Sequence, residues 1–264
     1  MASSLIGFYC FNDNDAALVH DFSGNERNST AETGFAISTH SGAKGYVGVF
    51  NGTTTVLNFG NITAFNSVTG FSIVTRFKTD AIGARQVISN RQNHHILEIT
   101  AAGLAKITLY YSGAPAFIIQ TSDTLVADTW YTVAVSWDGS DIYIYLDDAD
   151  NVDDDTASGT ALDSVANSLY IGATQVPGDY FDGMIEMISY YSKALTTDEV
   201  NAVMESVNGI KYLAGDGMIQ TGDLIYTNSG GSEVCIWSEE FDEMLFSDSE
   251  EQLFNDGELQ IFKN

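Results

Sequence analysis

Basic side chains are scarce in this 264-residue chain: ten Lys and Arg stand against 36 Asp and Glu, a net charge of -26 at neutral pH. A field of that sign repels phosphate backbones and anionic headgroups, so neither nucleic acid nor a membrane surface is an expected partner. It suits a solvated acidic surface, a divalent cation or a saline medium. Cysteine is nearly absent: Cys10 and Cys235 lie far apart, no disulfide framework is implied, and Cys10 sits in an apolar run that reads as buried. No stretch approaches the roughly 20 apolar residues of a membrane span. The opening "MASSLIGFYCFND" has no basic leader and only a short apolar run, so a secretory signal is not expected and synthesis in a cytoplasm is. No long repeat is visible.

What is present is β-forming material. The chain is 44% hydrophobic and 12% aromatic, enough to bury a sizeable core and unlike a disordered acidic chain. Short runs rich in Val, Ile, Tyr, Phe and Thr recur between Gly, Asn, Asp and Ser: "SLIGFYCF", "GYVGVFNG", "FSIVTRFKT", "KITLYY", "WYTVAVSWDG", "DIYIYLDD" and "GMIEMISYY" among them. In the paired runs around "DGSD", Val133, Val135 and Trp137 share one face. Ile142, Ile144 and Leu146 share another, with Tyr143 and Tyr145 opposite them. One segment reads as a helix, near 196–206: Thr196 or Thr197 caps it, acids fill its first turn, and Val200, Val203 and Met204 have helical spacing. The pattern predicts an all-β sandwich over residues 1–206. Residues 207–264 carry twelve acids and two lysines among Phe, Leu and Ile; they are expected to form a small β-rich acidic segment packed on the main domain or used for oligomerisation or attachment.

The quoted runs carry a resemblance. "GFYCFNDNDAALVHDFSGNERNST" is similar to a first strand and its Asp-x-Ser-Gly-Asn loop, "DTWYTVAVSWDGSDIYIYLDD" to a Trp-initiated hairpin, and "DYFDGMIEMISYYSKALTTDEVNAVME" to a closing strand and helix. Together residues 5–206 resemble the laminin-G-like, concanavalin A-like lectin/glucanase superfamily. The resemblance implies a two-sheet antiparallel jelly-roll sandwich that binds sugars on a sheet face or on edge loops, and a structural Ca²⁺ tying the first loop to the last strand. Asp21 and Asn25, around a tight Ser23-Gly24 turn, offer hard oxygens. The resemblance adds Glu186, where the family has Asp, and a backbone carbonyl at Gly52. The alternative for "DFSGN" is an Asx-turn that satisfies its own backbone.

Tyr110, Tyr143 and Tyr145 fall opposite the expected core faces and are candidates for stacking sugar rings. Six aspartates between Asp147 and Asp155 lack the spacing of a calcium loop and read as a solvated hairpin. His94 and His95 are adjacent, so a strand would point them apart; a loop role is expected. No paired-carboxylate strand appears: Glu240 and Asp242 are followed by Leu245 where a glucanase needs a third acid, Glu98 stands alone, and no catalytic residue is assigned. The expectation is a non-enzymatic glycan-recognition module. It resembles accessory proteins of bacteriophage particles and is expected on a virion surface as a capsid decoration, fibre or tail tip, with a cytoplasmic location as the alternative. An architectural virion subunit, or a glycoside hydrolase or lyase on the same fold, are the competing readings.

Overall fold

The computed structural model describes residues 4–11, 18–43, 46–175 and 178–204, together with short strand segments between 213 and 262. The first four stretches form β1 (Leu5–Cys10), β2 (Ala31–Thr33), β3 (Ala36–Thr39), β4 (Tyr46–Asn51), β5 (Val56–Asn58), β6 (Phe71–Thr79), β7 (Gln86–Arg91) and β8 (His95–Ile99). They continue with β9 (Ala105–Tyr111), β10 (Ala114–Gln120), β11 (Trp130–Trp137), β12 (Asp141–Leu146), β13 (Asp148–Thr156), β14 (Leu169–Ile171), β15 (Asp182–Tyr191) and a helix α1 (Thr197–Met204). Sheet A runs β13-β12-β11-β6-β15-β4-β3, with β1 also on β15; sheet B runs β10-β9-β8-β7-β14-β5-β2. All the pairings within these two sheets are antiparallel, which gives the expected jelly-roll sandwich.

Period-2 alternation sets the core. Val133, Val135 and Trp137 face Leu146, Ile144 and Ile142 across β11 and β12 in register, and all six are buried between the sheets. Trp137 stacks on Phe117 from sheet B, which stacks on Tyr111, and the indole N–H donates to Ala157 O at 2.7 Å. The hairpin turn closes on Asp138, whose Oδ1 accepts from the N–H groups of Ser140 and Asp141. A second apolar layer lies on the outer face of sheet A: Leu5, Phe8, Cys10, Val74, Ala134, Tyr145, Met187 and Tyr191 pack with Val200 and Val203 of α1. That helix starts with a capping box, since Thr196 Oγ1 accepts from Glu199 N–H and the Glu199 carboxylate accepts from Thr196 N–H.

The aspartate-rich run is the main departure. It was expected as a loop, and it forms the edge strand β13, paired to β12 from Asp141↔Thr156 to Leu146↔Asp148. A tight turn at Asp147, with φ of 66°, starts the return strand two residues after Tyr145. The outward carboxylates are tolerated because an edge strand needs only one partner. The expected role of 207–264 falls largely outside the described residues, as do Glu240 and Asp242.

Candidate functional site

The outer face of sheet B presents one unbroken cross-strand row. Register places Ile118, Thr108, Ile96, Asn90, Tyr170 and Asn58 side by side on β10, β9, β8, β7, β14 and β5. Ile118 is 53% exposed, Ile96, Tyr170 and Asn58 are half-buried, and Thr108 and Asn90 are buried. The row therefore alternates apolar or aromatic surface with hydrogen-bonding groups. Asn90 Oδ1 accepts from Gln175 N–H at 3.0 Å and so fastens the β14–β15 loop beside the row; the Gln175 Oε1 it brings there is buried and unpartnered.

Beside this row lies a charged cluster. Glu98, only 3% exposed, accepts from Arg85 Nε at 2.6 Å, and Lys106 Nζ pairs with its other oxygen. Arg85 reaches on to Asp179 on the β14–β15 loop. Glu98 is opposite Lys106 in the β8–β9 register, which is why a carboxylate that looks alone in the sequence is paired in the fold.

The four residues expected to hold Ca²⁺ do not converge. Asp21 and Asn25 are brought together, but by the turn: Asp21 Oδ1 accepts from the N–H of Ser23 and of Phe8, its Oδ2 accepts from Arg27 N–H, and the Asn25 amide donates to Leu5 O, Ile6 O and Ser23 Oγ. Glu186 is buried and pairs with Arg76, which also lies over the Trp130 ring and donates to Gly42 O. Gly52 donates to Phe181 O. Phe8 lies opposite Ser189. Along β15, Phe181, Glu186 and Ser189 therefore mark three separate places spread over roughly 25 Å at ~3.3 Å per residue. Calcium needs about six to eight oxygens at roughly 2.3–2.6 Å. The donors present do not fit it, and among the described residues no three His, Cys, Asp or Glu gather to hold a metal. Excess chelator is accordingly expected to leave the thermal midpoint within about 1 °C of its starting value, whereas Asp21→Ala lowers stability by ~2–3 kcal/mol through three lost charge-assisted bonds. A midpoint that falls on chelation and recovers with Ca²⁺ would contradict this.

The three candidate tyrosines do not form one site either. Tyr143 and Tyr145 stack on each other at 6.3 Å on the outer face of sheet A, where Tyr145 is buried against α1 and hydrogen-bonds Thr197. Tyr110 is half-exposed on the outer face of sheet B, one step along β9 from the row. Tyr170, which sits in the row, escaped notice because "SLYIG" is too short to show a face.

His94 lies in the expected turn, but His95 opens β8 and the two rings converge rather than point apart. Asn93, at φ of 60°, turns the chain before β8, so strand alternation does not govern His94, and both rings are buried with Phe65, Phe71 and Tyr190. Their Nδ1 atoms are 2.9 Å apart. One set of neutral tautomers satisfies the whole group. Tyr190 O–H donates to Ser89 Oγ, and Ser89 O–H donates to His95 Nε2. His95 Nδ1–H then donates to His94 Nδ1, and His94 Nε2–H donates to Phe65 O. Burial lowers the pKa of His94 to about 3, pushes His95 well below the imidazole range, and raises Tyr190.

The laminin-G-like family described as the concanavalin A-like lectin/glucanases superfamily matches residues 51–201, more than half of the chain. The chain belongs to the concanavalin A-like lectin/glucanase superfamily. Among curated proteins no sequence matches it. Solved structures share the fold at low identity. Domain 4 of an extracellular arabinanase from Geobacillus stearothermophilus, in complex with arabinotriose, is 16% identical with a TM-score of 0.58, covering 76% of this chain and 98% of that one. The binding domain of Paraclostridial Mosquitocidal Protein 1 is 13% identical with a TM-score of 0.65, covering 98% of this chain and 68% of that one. A Trypanosoma rangeli sialidase in complex with the inhibitor DANA is 15% identical with a TM-score of 0.56, covering 79% of this chain and 34% of that one. The same fold thus recurs in binding domains and within a sialidase chain. In this concanavalin A-like sandwich the carboxylates of Glu98 and Asp179 are bridged by Arg85. A glycosidase leaves the space between its two carboxylates for the glycosidic bond and water; here a guanidinium fills it.

Proposed function

We propose that this chain is a non-catalytic glycan-recognition module that lays an oligosaccharide across the outer face of sheet B. The observation that carries the reading is the row from Ile118 to Asn58, in which apolar and aromatic surface alternates with side-chain amides and a hydroxyl. Strands ~4.8 Å apart repeat these groups at about the width of a sugar ring. A sugar needs that combination: C–H faces against Ile or Tyr, and hydroxyls against the half-buried Asn58 amide and the Tyr170 hydroxyl. The arabinanase domain that holds arabinotriose supports the reading, as does the Arg85 guanidinium bridging the carboxylates of Glu98 and Asp179 beside the row.

Titration calorimetry with arabinotriose and a panel of neutral and charged oligosaccharides tests it. Tyr170→Ala is expected to weaken the bound sugar about tenfold, or ~1.4 kcal/mol, with little change in thermal midpoint. Binding unchanged in Tyr170→Ala would remove the face from the proposal. The wider setting we propose is the surface of a virus particle, as a decoration, fibre or tail tip assembled through 207–264. Support comes from that segment's composition, whose Phe, Leu and Ile among acids favour burial against another subunit. A monomer by light scattering on the full chain would overturn the assembly.

A further inference from the structure

Resting on the reading of sheet B as the sugar-binding face, we infer that this face selects neutral glycans and rejects anionic ones. A lectin site that takes a carboxylate or sulfate sugar needs a cation with donors to spare. The cations gathered beside the row, Arg85 and Lys106, have none that are uncommitted in charge. Arg85 is held by Glu98 and Asp179 together, and Lys106 by the second oxygen of Glu98. Two positive groups meet two carboxylates, so the cluster carries no surplus charge. Glu98 is 3% exposed, so a ligand anion would have to displace a buried carboxylate that would then be left without a partner.

The other described cations offer no substitute. Arg76, Lys78 and Lys193 are each in ion pairs of their own, and Arg27 donates to Ile6 O on β1, which belongs to sheet A. Arg91 has no carboxylate partner, but it is wholly buried and turned to the other side of β7. There it donates to Asn61, Asn66 and the carbonyls of Val165 and Asn167. The chain around the face has a net charge of -26, whose field adds a long-range penalty for any approaching anion. What remains for recognition is uncharged: Ile96, Ile118 and Tyr170 for ring faces, and the half-buried Asn58 amide with the Tyr170 hydroxyl for hydroxyl groups.

The test is binding of the full chain to an immobilised panel of neutral oligosaccharides (arabinan, galactan and glucan fragments, lactose) and acidic ones (sialyllactose, oligogalacturonate), at about 20 mM and about 500 mM salt. Neutral members are expected to bind at least tenfold more tightly than acidic ones at low salt, with the gap narrowing at high salt as the field is screened. Asp179→Asn, at a half-exposed position, and Glu98→Gln each remove one negative charge from the cluster and are expected to raise the ratio of acidic to neutral affinity about tenfold. Asp179→Asn keeps the test decisive where Glu98→Gln fails to fold. Acidic sugars bound as tightly as neutral ones by the wild-type chain would overturn the selectivity and leave glycan binding standing. Binding to no member of the panel would overturn the glycan reading itself, and this inference with it.

Discussion

Below about pH 6.5 the protein is expected to lose stability steeply, and the two buried histidines are the cause. In the folded chain the hydrogen-bond path from Tyr190 to Phe65 needs both imidazoles neutral, because a proton on His94 sets two N–H donors against each other at 2.9 Å and one on His95 Nε2 meets the Ser89 O–H that donates to it. The unfolded chain has no such constraint and binds protons near the ordinary 6.5, while folded His94 resists them down to about 3. The unfolded state therefore takes up protons first. Stability is full above about pH 6.5, falls as pH drops through that value, and goes on falling until the folded histidines themselves protonate. At ~1.36 kcal/mol per unit, His94 alone accounts for a loss on the order of 2 kcal/mol by about pH 5, against a domain's usual ~5–15 kcal/mol, and His95, whose burial pushes it the same way, adds to that loss. Urea unfolding between pH 8 and 5 measures it. High salt is needed to suppress the opposing gain as the acidic surface loses repulsion. His95→Gln should cost stability at pH 8 and yet make the slope with pH shallower. A slope unchanged in that variant would place the acid sensitivity elsewhere.

Gly183→Ala should be among the most damaging single-methyl changes available. Gly183 opens β15, where the strand slides between β4 and β6 at φ of 148°. A Cβ there would sit 2.1 Å from Lys78 O and 2.9 Å from Thr79 Cα, both backbone atoms of a central strand that has no room to yield. The expected cost is ~4 kcal/mol or more, or failure to fold. Gly113 is the control: it also has positive φ, at 81°, but nothing lies within 4 Å of its missing Cβ. Gly113→Ala should lose only the ~1–2 kcal/mol of left-handed backbone strain. Denaturation of the two variants side by side separates crowding from conformation, and equal losses would mean that β6 can move after all.

The same particular residues show what the sequence could and could not tell. Alternation in "WYTVAVSWDG" and "DIYIYLDD" named the core faces of β11 and β12 because side-chain direction along a strand is local. The capped helix was legible for the same reason. Which strands adjoin is not local, and that is where reading failed. Lys106 and Glu98 meet only through the β8–β9 register, Arg85 and Asp179 only through a loop 94 residues further on. Tyr145 looked like an outward tyrosine until α1 closed over it. The calcium set rested on positions that belong together in a family pattern, but in this chain Asp21 satisfies backbone and Arg76 neutralises Glu186. The aspartates of β13 outvoted a strand by propensity, and its pairing to β12 overrode them.

That edge strand has one more consequence. A free strand flank is an invitation to a second copy, since its unpaired N–H and C=O groups match those of any other extended chain. At the outer flank of sheet A the invitation is written on a strand carrying Asp148, Asp150, Asp153, Asp154 and Asp155, and at the flank of sheet B on one carrying Pro115. Two such flanks brought together would set five carboxylates against five. Copies gathered on one surface are therefore kept from stitching together through β13 or β10, the flanks where carboxylates and a proline replace an inviting edge.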